Sequence, residues 1–173
     1  MSIISQKIID YARSQVGRRV FASVPNAKGE CWDLAFQAAK DAGAKTPHDL
    51  GNIYKWSSQK VALAQARPGD IIQYFSLKME VEMVRTQVFD NGDTETRTET
   101  SSITLGEPRH TAIIKALKPN GKVEVFEQNI GGRAETQINE YYLQPITFQD
   151  SPTRVKVTRK SGRFIIYRPE SKL

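Results

Sequence analysis

Cysteine occurs once in this chain, as Cys31, and histidine only twice, as His48 and His110. A thiol can serve as a nucleophile when an imidazole shares its proton and a third group orients that imidazole. Cys31 lies in Gly29-Glu30-Cys31-Trp32-Asp33-Leu34-Ala35-Phe36, which reads as the start of a helix. The N–H groups of a first helical turn have no partner within the helix. A thiol placed there meets a positive field that favours the thiolate, and the same N–H groups can hold an oxyanion. His110 opens the apolar run His110-Thr111-Ala112-Ile113-Ile114-Lys115-Ala116-Leu117, read as a strand. The returning run Val123-Glu124-Val125-Phe126-Glu127-Gln128-Asn129 supplies two candidate orienters. Glu127 and Asn129 are two residues apart, so in a regular strand both point to one face, and each can accept from an imidazole N–H. Gln128 points the other way. His48 has no evident partner and reads as a surface or capping residue. The competing account makes Cys31 core packing and His110 a strand-end surface residue.

These residues need elements to position them. Ile4, Ile8, Tyr11 and Ala12 recur at helical spacing, which predicts a helix over residues 2–15 ended by Gly17. Residues 31–42 form a second helix with a small-residue face of Leu34, Ala35, Ala38, Ala39 and Ala42, capped at Gly43. Tyr54 and Trp56 read either as core or as the lining of a groove. Arg67-Pro68-Gly69-Asp70 turns into a strand at residues 71–75. Residues 81–89 and 94–103 flank Asp90-Asn91-Gly92-Asp93 as a long hairpin. Residues 137–143 read as a helical turn, and residues 154–158 and 164–167 as a final hairpin about Ser161-Gly162. Helices followed by an antiparallel sheet define an α+β fold. A length of 173 residues suits one hydrophobic core, so we read residues 1–173 as a single domain with a β-hairpin elaboration at 79–103.

Composition narrows the function further. A hydrophobic content of 39% with 25% charged residues is that of a globular domain. A single cysteine excludes an intrachain disulfide, and one Cys with two His is too few for a closed Cys/His zinc site. No cofactor or metal is expected. No apolar run reaches membrane-spanning length, and residues 1–7 lack the features of a signal peptide. The expectation is a chain that is cytoplasmic as made, monomeric, and exported, if at all, by a non-classical, phage or secretion-system route. The net charge of +6 owes much to Arg154, Lys156, Arg159, Lys160 and Arg163, which have no acid among them. That C-terminal cluster is a candidate site for an anionic partner, against the plainer reading of a solvated hairpin face.

The segment around Cys31 resembles the nucleophile segment of the CHAP and NlpC/P60 peptidases, papain-like amidases of bacterial cell walls. Pro68-Gly69-Asp70-Ile71-Ile72 is similar to the entry to their first core strand. His110-Thr111-Ala112-Ile113-Ile114 is similar to the strand bearing their general base. Glu127-Gln128-Asn129 resembles the Glu-x-Asn ending of CHAP domains, and Gly162-Arg163-Phe164-Ile165-Ile166-Tyr167-Arg168-Pro169 their last core strand. The resemblance runs over about residues 5–169 in consistent order. It implies a papain-like fold of NlpC/P60 type, with helices packed on a central antiparallel sheet. It also implies amide hydrolysis through an acyl-enzyme: Cys31 attacks, His110 acts as base, and Glu127 or Asn129 orients His110. The implied substrate is peptidoglycan. Other enzymes on this scaffold act on protein or lipid groups as deamidases, isopeptidases or acyltransferases, and an effector of this type would have a cognate inhibitor. Glu30 departs from the CHAP pattern, since a carboxylate beside the cysteine opposes the thiolate. A non-catalytic module that binds an anionic partner is the remaining alternative.

Overall fold

The computed structural model describes residues 1–173. Two helices precede a seven-stranded antiparallel sheet. Helix α1 (Ile3–Gln15) starts at Ser2, whose hydroxyl accepts from the Ser5 N–H at 3.1 Å. It buries Ile8, Ile9 and Ala12. Helix α2 (Cys31–Asp41) buries Leu34, Ala35, Phe36, Ala38 and Ala39. Its alanines let the helix lie close against α1 and the sheet. No helix is long and apolar enough to cross a membrane.

The strands are β1 (Lys60–Val61), β2 (Ile71–Val88), β3 (Thr94–Leu117), β4 (Lys122–Ile130), β5 (Arg133–Tyr142), β6 (Ile146–Asp150) and β7 (Thr153–Tyr167). The sheet order is β1-β7-β2-β3-β4-β5, and β6 pairs with another stretch of β7. Both faces are apolar. Ile71, Ile113 and Phe126 join the core beneath the helices, while their neighbours Ile72, Ile114 and Val125 join a second core. That is why strands here read as unbroken Ile-Ile pairs rather than as alternation. The second core gathers Met79, Leu105, Val155 and Val157 from the long strands with Val123 and Leu143 near β4 and β5, so the sheet coils around it.

Several elements differ from expectation. Residues 71–75 and 81–89 belong to one strand, as do 94–103 and 110–117. The register slips between Phe75 and Leu77, where Ser76 has φ 47°, and pairing then resumes. His110 therefore lies within β3 rather than at its start. The 79–103 hairpin continues the sheet, and Met79 to Arg85 pair with β7. Residues 154–158 and 164–167 are one strand, not a hairpin about Ser161-Gly162; the reversal lies instead between β6 and β7. Gly162 sits at φ 76° against β2, where an added Cβ would be 2.0 Å from the Ser76 carbonyl oxygen. It permits close strand contact rather than a turn.

Residues 137–143 are not helical. Gly131 and Gly132, at φ 62° and 75°, reverse the chain so that β5 pairs along β4, with Val125 opposite Asn139 and Val123 opposite Tyr141. Ile138, Tyr141 and Tyr142 have helical spacing, but the ladder of hydrogen bonds offered by β4 prevails over it.

Candidate active site

Cys31 is the first residue of α2, and local chemistry fixes it there. The Asp33 carboxylate accepts from the Glu30 N–H at 3.1 Å and the Ala22 N–H at 2.8 Å, tying the helix start to the preceding loop. Gln128 holds the same loop from the sheet. Its amide donates to the Glu30 and Val20 carbonyls at 3.0 and 2.8 Å and accepts from the Val20 N–H at 2.7 Å. The ladder between β3 and β4 ends at Ala112 opposite Glu127, so His110 and Gln128 lie just past its last rung. The tip of α2 is anchored at this place.

His110 is buried, and its Nε2 lies 2.7 Å from Glu127 Oε1. Cys31 lies close enough to the ring to act on its charge. Burial pulls the imidazole pKa down. The hydrogen bonds and charges of Cys31 and Glu127 outweigh that and raise it from 6.5 to about 9. Glu127 is fully buried. Its Oε2 accepts from Asn139 Nδ2 at 2.8 Å and from the Tyr141 hydroxyl. Burial, and then the charge of Glu127, raise the Tyr141 pKa, so the phenol keeps its proton and donates it to the carboxylate. The Tyr74 ring stacks on His110 with centroids 5.8 Å apart.

Of the four residues named from sequence, His110 and Glu127 are in direct contact, and Cys31 lies near the imidazole. Asn129 does not join them. A register shift between Gln128 and Ile130 places it in the left-handed region at φ 58°, exposed and without a hydrogen bond to His110. The bulge breaks the alternation that would have aligned it with Glu127. Asn139 and Tyr141 were hidden because they lie in the segment that reads as a helix. Their spacing of two, opposite Val125 and Val123, is the signal that strand pairing reveals.

The thiol opens onto a cleft of about 550 Å³. Val24 to Lys28 form one wall, and His48, Ile53 and Tyr54 another; Gln73 and Thr111 line it beside Glu107, Pro108 and Arg109. Gln73 is fully buried, accepts from Thr111 Oγ1 at 2.8 Å and Trp56 Nε1 at 3.1 Å, and donates to the His110 carbonyl at 3.0 Å. It thereby fixes the backbone that carries the imidazole. His48 is an exposed residue, as expected, and its ring packs on Trp32 and Phe36 with centroids 5.8 and 5.1 Å apart. Tyr54 lines the cleft, while Trp56 is core. Glu30 is exposed at the cleft edge. The C-terminal basic cluster lies along β7 and has acids across the strand boundary: Lys160 pairs with Glu80 at 3.5 Å, and Lys156 lies opposite Glu82. No group of metal-ligating side chains is present.

Two N-terminal helices on a central antiparallel sheet, with a cysteine at a helix tip, define an α+β domain of the papain-like cysteine-proteinase class. The chain belongs to the AIM3/BBC1 cysteine proteinase-fold domain family, whose model matches residues 2–148. No curated protein and no solved structure matches it. The family match reaches the cysteine-proteinase fold in general, a broader class than CHAP or NlpC/P60.

Proposed function

We propose that this domain is a cysteine-dependent amide hydrolase in which Cys31 is the nucleophile, His110 the general base and acid, and Glu127 the group that orients His110. The observation that carries this reading is the buried imidazole bonded to a carboxylate through Nε2, with the helix-tip thiol near enough to act on its charge. Below about pH 9 the imidazole holds its proton, which favours a thiolate–imidazolium pair. Cys31 Sγ attacks the amide carbonyl carbon, and the oxyanion forms beside the N–H groups of the first turn of α2. His110 gives its proton to the leaving amine, the C–N bond breaks and a thioester remains. Water then attacks the thioester, giving its proton to His110. The carboxylic acid leaves and the thiolate is restored.

The resemblance to CHAP and NlpC/P60 segments favours peptidoglycan as substrate, cut within the stem peptide or at the cross-bridge. An amide of a protein or lipid is the alternative on the same scaffold. The test is incubation of the protein and its Cys31→Ala variant with purified peptidoglycan and with isopeptide-linked peptides, reading new amines and fragment masses. Amines released by the parent and absent with the variant support the reading, and the substrate that releases them assigns the class. Release that survives Cys31→Ala, or none from either substrate set, overturns it.

A further inference from the structure

Next to the thiol, along the same face of the sheet, lies a row with different chemistry. Phe75 of β2 is flanked by Arg109 of β3 and Arg163 of β7, both in direct register with it. The Arg163 guanidinium stands over the Phe75 ring, 4.1 Å from its centroid. The Arg109 guanidinium is 5.9 Å from the same centroid and 4.2 Å from that of Tyr54. The adjoining row on this face, Gln73 and Thr111, lines the cleft onto which Cys31 opens, and Arg109 lines it too.

Both guanidinium groups are exposed, and no carboxylate lies within ion-pair distance of either. Arg13, Arg97, Arg133 and Arg168 each have such a partner. The side chains of Arg109 and Arg163 also donate no hydrogen bond within the chain. A guanidinium laid on an aromatic face keeps its N–H edge free and loses little further freedom on binding, because stacking has already oriented it. Planar paired donors of this kind match a carboxylate. Glu30 and Glu107 also line the cleft, and their charge disfavours a dianion such as a phosphate monoester more than a carboxylate.

We propose that Arg109 and Arg163 form a carboxylate-binding subsite at the open end of the cleft, so that the peptides accepted there carry an acidic side chain near the amide. The proposal takes the cleft to be the substrate site, and so rests on the reading of Cys31 given above. Binding measured without chemistry separates the two.

The experiment uses the Cys31→Ala chain and acetylated, amidated tetra-alanine peptides. One peptide carries Glu at each position in turn, and each has a Gln counterpart. Binding is followed by NMR titration. At least one Glu peptide should bind about tenfold or more tightly than its Gln partner, with weaker binding at high salt. The preference should fall to within about twofold in Arg109→Gln/Arg163→Gln. Arg109→Lys should recover only part of it, because lysine lacks the planar fork. Equal or undetectable binding of Glu and Gln peptides overturns the subsite, as does a preference that survives the double variant. Iodoacetamide labelling of Cys31 in the parent and the arginine variants reports on the nucleophile separately. Slow labelling with a retained Glu preference would remove the hydrolase reading and leave the subsite standing.

Discussion

Replacing Glu127 by Gln keeps the shape of the side chain and removes its charge. In the native site that charge lies 2.7 Å from His110 Nε2 and accepts two further hydrogen bonds from Asn139 and Tyr141. A hydrogen bond to a charged group contributes about 1.5–3 kcal/mol, so losing the charge lowers the stability of the imidazolium by at least about that much. At about 1.4 kcal/mol per pKa unit, the imidazole moves down by roughly one to two units from about 9. At pH 9 the imidazolium then becomes about 5 to 50 times scarcer, while at pH 6 it stays the main form. The assay is NMR titration of the His110 ring from pH 5 to 10. The E127Q midpoint should lie roughly one to two units below the parent's. Tyr141→Phe removes one donor to the carboxylate and should act in the same direction with a smaller effect. Near-UV circular dichroism checks that both variants keep their packing. A natively packed E127Q protein whose His110 midpoint stays within about 0.3 units of the parent's would refute the assignment of Glu127.

Stability should depend on pH through the same residue. The folded pKa of His110 is raised above 6.5, so its contribution is complete below the unfolded value and is lost as pH rises through about 9. The shift corresponds to about 3 kcal/mol. Urea midpoints measured at pH 6 and pH 9.5 should show this fall, and His110→Gln should flatten it. Gly162→Ala forces a Cβ to within 2.0 Å of the Ser76 carbonyl in a left-handed conformation, so it should destabilise the fold by at least about 2 kcal/mol in urea titration. An unchanged midpoint would contradict the close packing of β7 on β2.

The helices were legible because their signals are local. Ser2, the spacing of Ile4, Ile8 and Ala12, and the glycines at 17 and 43 bound each helix within a few residues. The strands were legible as apolar runs but not as continuous elements. Polar stretches such as Gly106-Glu107-Pro108-Arg109 look like breaks, yet β3 passes through them because β2 pairs with Leu105 before them and with Arg109 at their end. Gly162 misled for a related reason: glycine marks a turn or a close approach equally well, and only the position of Ser76 distinguishes them.

The sequence alone placed a single thiol at the start of a helix, because Gly29, Glu30 and Asp33 end the loop and begin the turn locally. It also set an imidazole on a distant apolar strand and two polar acceptors on the next. Which acceptor meets the imidazole was beyond it. That choice depends on the bulge at Asn129, on the reversal at Gly131-Gly132, and on the donors Asn139 and Tyr141 that β5 brings to Glu127. Those contacts join residues through strand pairing, and pairing register is a property of the assembled sheet rather than of any one segment.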